Sequence, residues 1–137
     1  MKLKYLFDGF HNGKVTCLDP CLHRPFLVSC SNYDSTIRIW NYSSKKCELA
    51  RKFYVGEDNQ GNIHPLQFVA FHPTGFYMAV SFINKLRFYH VLQVKLRLYR
   101  EVDLKKCTYM SFSVGGQFLA AAHPATSVSN QTQQAKY

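Results

Sequence analysis

Residues 9–40, GFHNGKVTCLDPCLHRPFLVSCSNYDSTIRIW, set an imidazole (His11), a hydroxyl (Ser29), a turn carboxylate (Asp34) and an indole (Trp40) at intervals that fit a loop followed by short strands. An indole N–H can only donate and is costly to bury unpaired, so a strand-borne Trp40 calls for a hydroxyl such as Ser29. That hydroxyl calls for an acceptor in turn. His11, from the loop ahead of the strands, can offer one ring nitrogen to the hydroxyl, while Asp34, in the tight turn before Trp40, fixes the other. Ser31 stands near enough in sequence to be the relay hydroxyl in place of Ser29. Four residues so placed tie three strands and a loop together, and this reads as a structural network rather than a catalytic Ser-His-Asp set.

Working outward, a strand-turn-strand unit recurs. Residues 15–31 (VTCLDPCLHRPFLVSCS), 66–82 (LQFVAFHPTGFYMAVSF) and 107–123 (CTYMSFSVGGQFLAAAH) align without gaps. In the second and third copies a Phe stands four residues before a turn glycine, Phe71 before Gly75 and Phe112 before Gly116. A strand running into a turn that needs a permissive backbone has that pattern. Each of the first two copies is followed by two stretches of polar-apolar alternation, 36–42 and 46–53, then 85–91 and 95–102, which predict half-buried strands. The copies start 51 and then 41 residues apart, near the roughly 40 to 45 of a four-stranded blade. The surplus in the first interval is the polar loop 55–64 (VGEDNQGNIH). Residues 124–137 (PATSVSNQTQQAKY) carry little apolar content and read as a tail, with 126–130 a weak third strand at best. Residues 4–7 can serve as the last strand of a preceding blade.

The G-x-H opening at 9–11, the turn aspartate Asp34 and the I-R-I-W ending at 37–40 resemble the WD-repeat family, although the turn at 31–34 is one residue longer than that family's usual S-x-D. The second half lacks the Trp and the turn Asp. It keeps K-L-R-F-Y (85–89), R-E-V-D-L-K-K-C (100–107) and S-F-S-x-G-G-Q-F-L-A-A (111–121), and with L-V-S-C-S-x-x-D-S-T-I-R-I-W-N-Y (27–42) it is similar to the axonemal WD-repeat proteins over roughly 13–123. Repeat and resemblance together imply an all-β fold, a partial WD-repeat β-propeller of about two and a half four-stranded blades. The propeller segment would span 1–124, with blades at about 9–53, 64–103 and an incomplete 104–124, and 125–137 would be a polar tail or linker. Rings normally close with about four to eight blades, so the expectation is a piece of a larger propeller or a segment that docks on other blades. The resemblance further implies a noncatalytic scaffold of the ciliary or flagellar axoneme, in the cytoskeleton. It would help to anchor or regulate inner-arm dynein on doublet microtubules, with axonemal proteins, dynein-arm subunits and tubulin as partners.

Composition narrows the classes. With 137 residues, 47% hydrophobic and 15% aromatic, the chain has material for a packed core. Its longest apolar run, 76–83, suits a buried strand and is far short of the roughly 18 to 20 residues of a membrane helix. The opening MKLKYLF is too short and too charged for a secretory signal, so a soluble cytoplasmic chain without membrane contact is expected. Five irregularly spaced cysteines argue for reduced thiols. Cys17 and Cys21 on one strand would lie about 13 Å apart, too far to share a zinc ion, and read as small core residues. His72 and His123 have no Cys or carboxylate at ligand or dyad spacing and read as turn or surface residues. Neither G-x-x-x-x-G-K-S/T nor G-x-G-x-x-G is present, so no nucleotide, metal or other cofactor is expected, and no catalytic residue is assigned.

The net charge of +9 is the one compositional extreme and predicts attraction to an acidic surface or polymer. Lys85 and Arg87 alternate with Leu86 and Phe88, as Lys95 and Arg97 do with Leu96 and Leu98, and Arg100, Lys105 and Lys106 lengthen the stripe. Such charges either protect a sheet edge from pairing or contact an acidic partner. Asn32 and Tyr33, beside the turn aspartate, and the loop 55–64 are the other candidate partner contacts. The alternative function is a basic adaptor for RNA or a ribonucleoprotein, with Tyr89 and Tyr99 as base platforms.

Overall fold

The computed structural model describes residues 10–53, 65–93 and 95–124 together with the backbone of one further strand, 133–136. Its regular structure is entirely β. The first sheet comprises β1 (Cys17–Pro20), β2 (Phe26–Ser31), β3 (Thr36–Asn41) and β4 (Lys46–Lys52). The second holds β5 (Leu66–Phe71), β6 (Tyr77–Phe82), β7 (Lys85–Val91) and β8 (Leu96–Asp103), and the third β9 (Tyr109–Phe112), β10 (Phe118–Ala122) and β11 (Gln133–Lys136). Neighbours in sequence are neighbours in each sheet and all pairs are antiparallel. The arrangement is a sector of a propeller, with two four-stranded blades followed by a sheet of three described strands.

Burial explains why the strands read as they do. Val28, Cys30, Ile37 and Ile39 leave one face of the first sheet and meet Val69, Phe71, Met78 and Val80 of the second. The other face of the second sheet, with Ala70, Ala79, Leu86 and Phe88, meets Cys107, Met110, Leu119 and Ala121 of the third. Because it is covered on both faces, β6 is an almost unbroken apolar run, whereas β10 alternates exposed and buried residues as a strand covered on one face does. Each buried Val, Ile, Leu or Phe stabilises the stack by about 1.5–3 kcal/mol. Phe53 ends the first sheet edge to face with Phe82 and Tyr89, at centroid distances of 5.7 and 5.8 Å. Arg51 lies over the Phe53 and Tyr89 rings and donates to the Leu96 carbonyl at 2.8 Å, linking β4 to the second sheet.

Polar groups stitch the blades at their turns. Cys17 donates its thiol hydrogen to the Val69 carbonyl (3.3 Å) and Cys21 to that of Pro73 (3.2 Å), so both thiols serve the seam between the first two sheets. Asp19 accepts from the Phe71 N–H at 2.6 Å; burial raises its proton affinity and that N–H opposes the rise. Cys21 lies past the end of β1, its N–H bonded to the Phe26 carbonyl, so the two thiols do not share a strand. His72 does the equivalent at the second seam: its Nε2 lies 3.0 Å from the Gly116 carbonyl. Gly75 and Gly116 have φ of 78° and 71°, the left-handed region the turn reading anticipated. A Cβ on Gly116 would also overlap the His72 ring.

The structure departs from the sequence reading in the third sheet. Its third strand is Gln133–Lys136, paired with β10 from Phe118↔Lys136 to Ala121↔Gln133, inside the segment expected to be a tail. Strand pairing is made by backbone N–H and C=O groups, so it does not require the apolar side chains on which the sequence reading relied. The segments 4–7, 55–64 and 126–130 lie outside the described residues.

Candidate functional site

The polar centre of the first blade forms where the loop at 10–14 folds over β2 and β3. Trp40, 5% exposed, donates its indole N–H to Ser29 Oγ at 2.8 Å. Ser29 Oγ lies 2.6 Å from His11 Nε2, and His11 Nδ1 lies 2.8 Å from Thr36 Oγ1. Thr36 donates its hydroxyl to Asp34 Oδ1 at 2.6 Å and its N–H to the same oxygen at 3.0 Å. Because the carboxylate can only accept, Thr36 donates to Asp34 and His11 Nδ1–H to Thr36; on the neutral ring Nε2 then accepts from Ser29, which in turn accepts from Trp40. Burial of the ring, which disfavours its charged form, favours this neutral, Nδ1-protonated imidazole.

His11, Ser29, Asp34 and Trp40 are thus brought together, with two differences from the expected arrangement. Ser29 is the relay hydroxyl; Ser31, two residues further along β2, accepts instead from the Tyr33 and Asp34 N–H groups at 3.3 and 3.4 Å and shapes the turn. Thr36 stands between His11 and Asp34, whose Oδ2 is 3.4 Å from Nδ1 and accepts from the Asn12 N–H at 2.8 Å. Thr36 escaped the sequence reading because a hydroxyl next to a turn aspartate is usually a local cap. Its spacing of two residues from Asp34 was the available signal.

Electrostatics follow from burial. Burial is the largest influence on His11 and lowers its proton affinity; Asp34 pulls it back up, and Arg38 lowers it further. Burial pushes Asp34 up, but the Thr36 hydroxyl and N–H, His11 and the Asn12 N–H outweigh it and hold the carboxyl below its ordinary value. Ser29 is only 3% exposed, and its hydrogen is committed to His11 while its oxygen accepts from Trp40, so the group is arranged to hold strands rather than to attack a substrate.

The charged residues divide differently from the even stripe read in the sequence. Lys85 and Arg87 converge on Glu101, at 2.7 and 2.6 Å from its two oxygens. Glu101 sits opposite Arg87 on β8, a pairing that only the strand register reveals. Lys95 and Arg97 are exposed, as are Arg100, Lys105 and Lys106. A register shift between Phe88 and Tyr89 sets Arg100 opposite Phe88 and breaks the alternation along β8. Asn32 and Tyr33 are exposed on the turn between β2 and β3, Tyr33 at 70%. Among the described residues no group of three or more His, Cys, Asp or Glu could hold a metal ion. No helix among them is long and apolar enough to cross a membrane.

The profile of the family described as WD domain, G-beta repeat matches residues 2–41, the segment that contains every member of this relay. The chain belongs to the WD-repeat family. It is 36% identical over 119 residues to cilia- and flagella-associated protein 57 A of Tetrahymena thermophila, covering 87% of this chain and 8% of that protein. It is 33% identical over 120 residues to cilia- and flagella-associated protein 57 of Mus musculus, covering 88% of this chain and 9% of that protein. The chain therefore spans less than a tenth of the length of these relatives. In structure it is similar to the RRP9 WD40 repeats, with a TM-score of 0.67 and 21% identity over 84% of this chain and 36% of that one. Against U3-55K the TM-score is 0.65 at 20% identity, over 81% of this chain and 36% of that one. Both likenesses concern the fold alone, a sector of a WD-repeat propeller.

Proposed function

We propose that this WD-repeat segment belongs to a noncatalytic scaffold at the cilium or flagellum, where it helps to anchor or regulate inner-arm dynein on doublet microtubules. The observation that carries the reading is the likeness to proteins named cilia- and flagella-associated protein 57 in two distant organisms, extending over 87–88% of the chain. The geometry suits the role. Rigid blades hold exposed turns and outer strands at fixed positions, and the surplus of positive charge suits acidic partners such as tubulin or dynein-arm subunits. With Lys85 and Arg87 bound to Glu101, the charge of this stripe left available is that of Lys95, Arg97, Arg100, Lys105 and Lys106. Asn32 and Tyr33 offer a second contact beside the His11 relay.

Co-sedimentation with axonemal doublets across a salt series, with structured RNA as competitor, tests this. Saturable binding that survives RNA and weakens on charge reversal at Lys95 and Arg97 is the expected result. Absence of binding, or its loss to RNA at low salt, would overturn the reading in favour of an RNA or ribonucleoprotein adaptor, whose affinity should fall steeply with salt.

A further inference from the structure

Grooves open at repeat-equivalent places along both seams between blades. At the first seam Phe26 and Asn41 are opposed on β2 and β3. The Asn41 amide donates to Glu48 at 3.1 Å, and the Arg24 guanidinium lies 4.5 Å from the centre of the Phe26 ring and 5.1 Å from that of Phe76. Here the amide and the carboxylate are bonded to each other, and the guanidinium is seated against two ring faces.

The second seam is different at the same register positions, which hold Tyr77 and His90. A cavity of about 370 Å³ is lined by His72, Tyr77, His90, Tyr99 and Phe112. The rings meet edge to face or tilted: Tyr77 and His90 at 4.9 Å, His90 and Tyr99 at 4.5 Å, His72 and Phe112 at 5.1 Å between centres. His72 is held by Thr74 and the Gly116 carbonyl. Among the described residues, the Tyr77 and Tyr99 hydroxyls and the His90 ring nitrogens have no hydrogen-bond partner. Charge at the rim has one sign. Arg97 is opposed to His90 and Arg100 to Phe88, so both leave the sheet on the side of the groove, and Glu101 is already taken by Lys85 and Arg87.

We propose that this second groove binds an extended acidic segment of a partner protein, with a proline seated among the rings. A chain in the polyproline II conformation has no internal hydrogen bonds, so its carbonyls are open to donors, and aromatic-lined grooves are its usual receptors. The Tyr77 and Tyr99 hydroxyls and a His90 N–H supply donors beside the ring pocket, and Arg97 and Arg100 face the acidic flanks. A cationic ligand would suit the rings alone but meets the two arginines. Nucleobases need ring faces free for flat stacking, whereas these rings are turned edge-on to one another. The proposal concerns the chemistry accepted by the groove and is independent of the ciliary reading.

Fluorescence anisotropy with a labelled peptide carrying two central prolines flanked by Asp and Glu is the test. Saturable binding is expected, weaker by about tenfold in Tyr99→Ala and in Arg97→Glu and unchanged in Phe76→Ala at the first groove. All three residues are exposed, and matching unfolding curves would tie any loss to the groove. Peptides with alanine for proline, or lysine for the acids, are expected to bind more weakly. Failure to bind at millimolar peptide, equal loss in Phe76→Ala, or displacement by oligouridine that itself depends on Tyr99 would overturn the proposal.

Discussion

The first two blades share a strand plan but hold their third strands by different physics. In the first, the centre is a polar relay, with Trp40 bonded to Ser29 and onward through His11 and Thr36 to Asp34. In the second, the positions aligned with Ser29 and Trp40 are Val80 and Tyr89, both essentially fully buried, and the charged groups sit outside, where Lys85 and Arg87 clasp Glu101. A relay demands every member, because a missing partner leaves a buried polar group unpaired. Apolar packing degrades in proportion to what is removed.

The largest effect should come from Trp40→Ala, which removes a buried ring and a donor together and is expected to cost about 3–5 kcal/mol in urea unfolding. Tyr89→Ala should cost a similar amount, mainly through packing with the loss of the Arg51 and Arg87 contacts added, and comparable losses would show that the two solutions are matched in strength. Next, Ser29→Ala should cost about 1–3 kcal/mol by stranding Trp40 and His11, against about 0.5–1 kcal/mol for Ser31→Ala in the turn. Equal costs would mean that Ser31 can take over the relay. The reciprocal change Val80→Ser, which buries a hydroxyl without a relay to receive it, should destabilise the second blade by about 1–3 kcal/mol.

A titration separates the blades further. The His11 value lies below 6.5 in the folded chain, so between the two values the unfolded chain binds more protons. The relay's contribution is therefore complete above about pH 6.5 and is lost as pH falls below it. Asp34, held below 3.8, adds a loss in the same direction at still lower pH. Unfolding midpoints compared at about pH 7.5 and 5.5 should fall in the parent and fall less in His11→Asn; an unchanged difference would place the sensitivity elsewhere. The smallest effect should be that of Glu101→Gln. Its partners are partly exposed, so a cost under about 1 kcal/mol is expected, shrinking as salt is added.

Much of the fold was written into residues near one another in the chain. Strand alternation located β3, β4 and β7 to within a residue or two, and the repeated Phe-to-Gly spacing marked turns whose glycines take positive φ. His11, Asp34 and Trp40, with Ser29 or Ser31 between, could be named because buried indole, hydroxyl and imidazole groups have few ways to satisfy one another. The choice of Ser29 over Ser31, the insertion of Thr36, the capture of two basic residues by Glu101 and the role of His72 at the seam were not legible. Each depends on which residues stand opposite across strands or blades.

By itself, then, the sequence determined that this protein is a repeat of short β units with a polar centre in the first, since periodicity and hydrogen-bonding capacity are local properties. Only the tertiary structure decided which hydroxyl carries the relay, which positive charges remain available, and that rings make up most of the groove at the second seam but not of that at the first. Those outcomes turn on register and blade contact, where a shift of one residue sends a side chain to the opposite face.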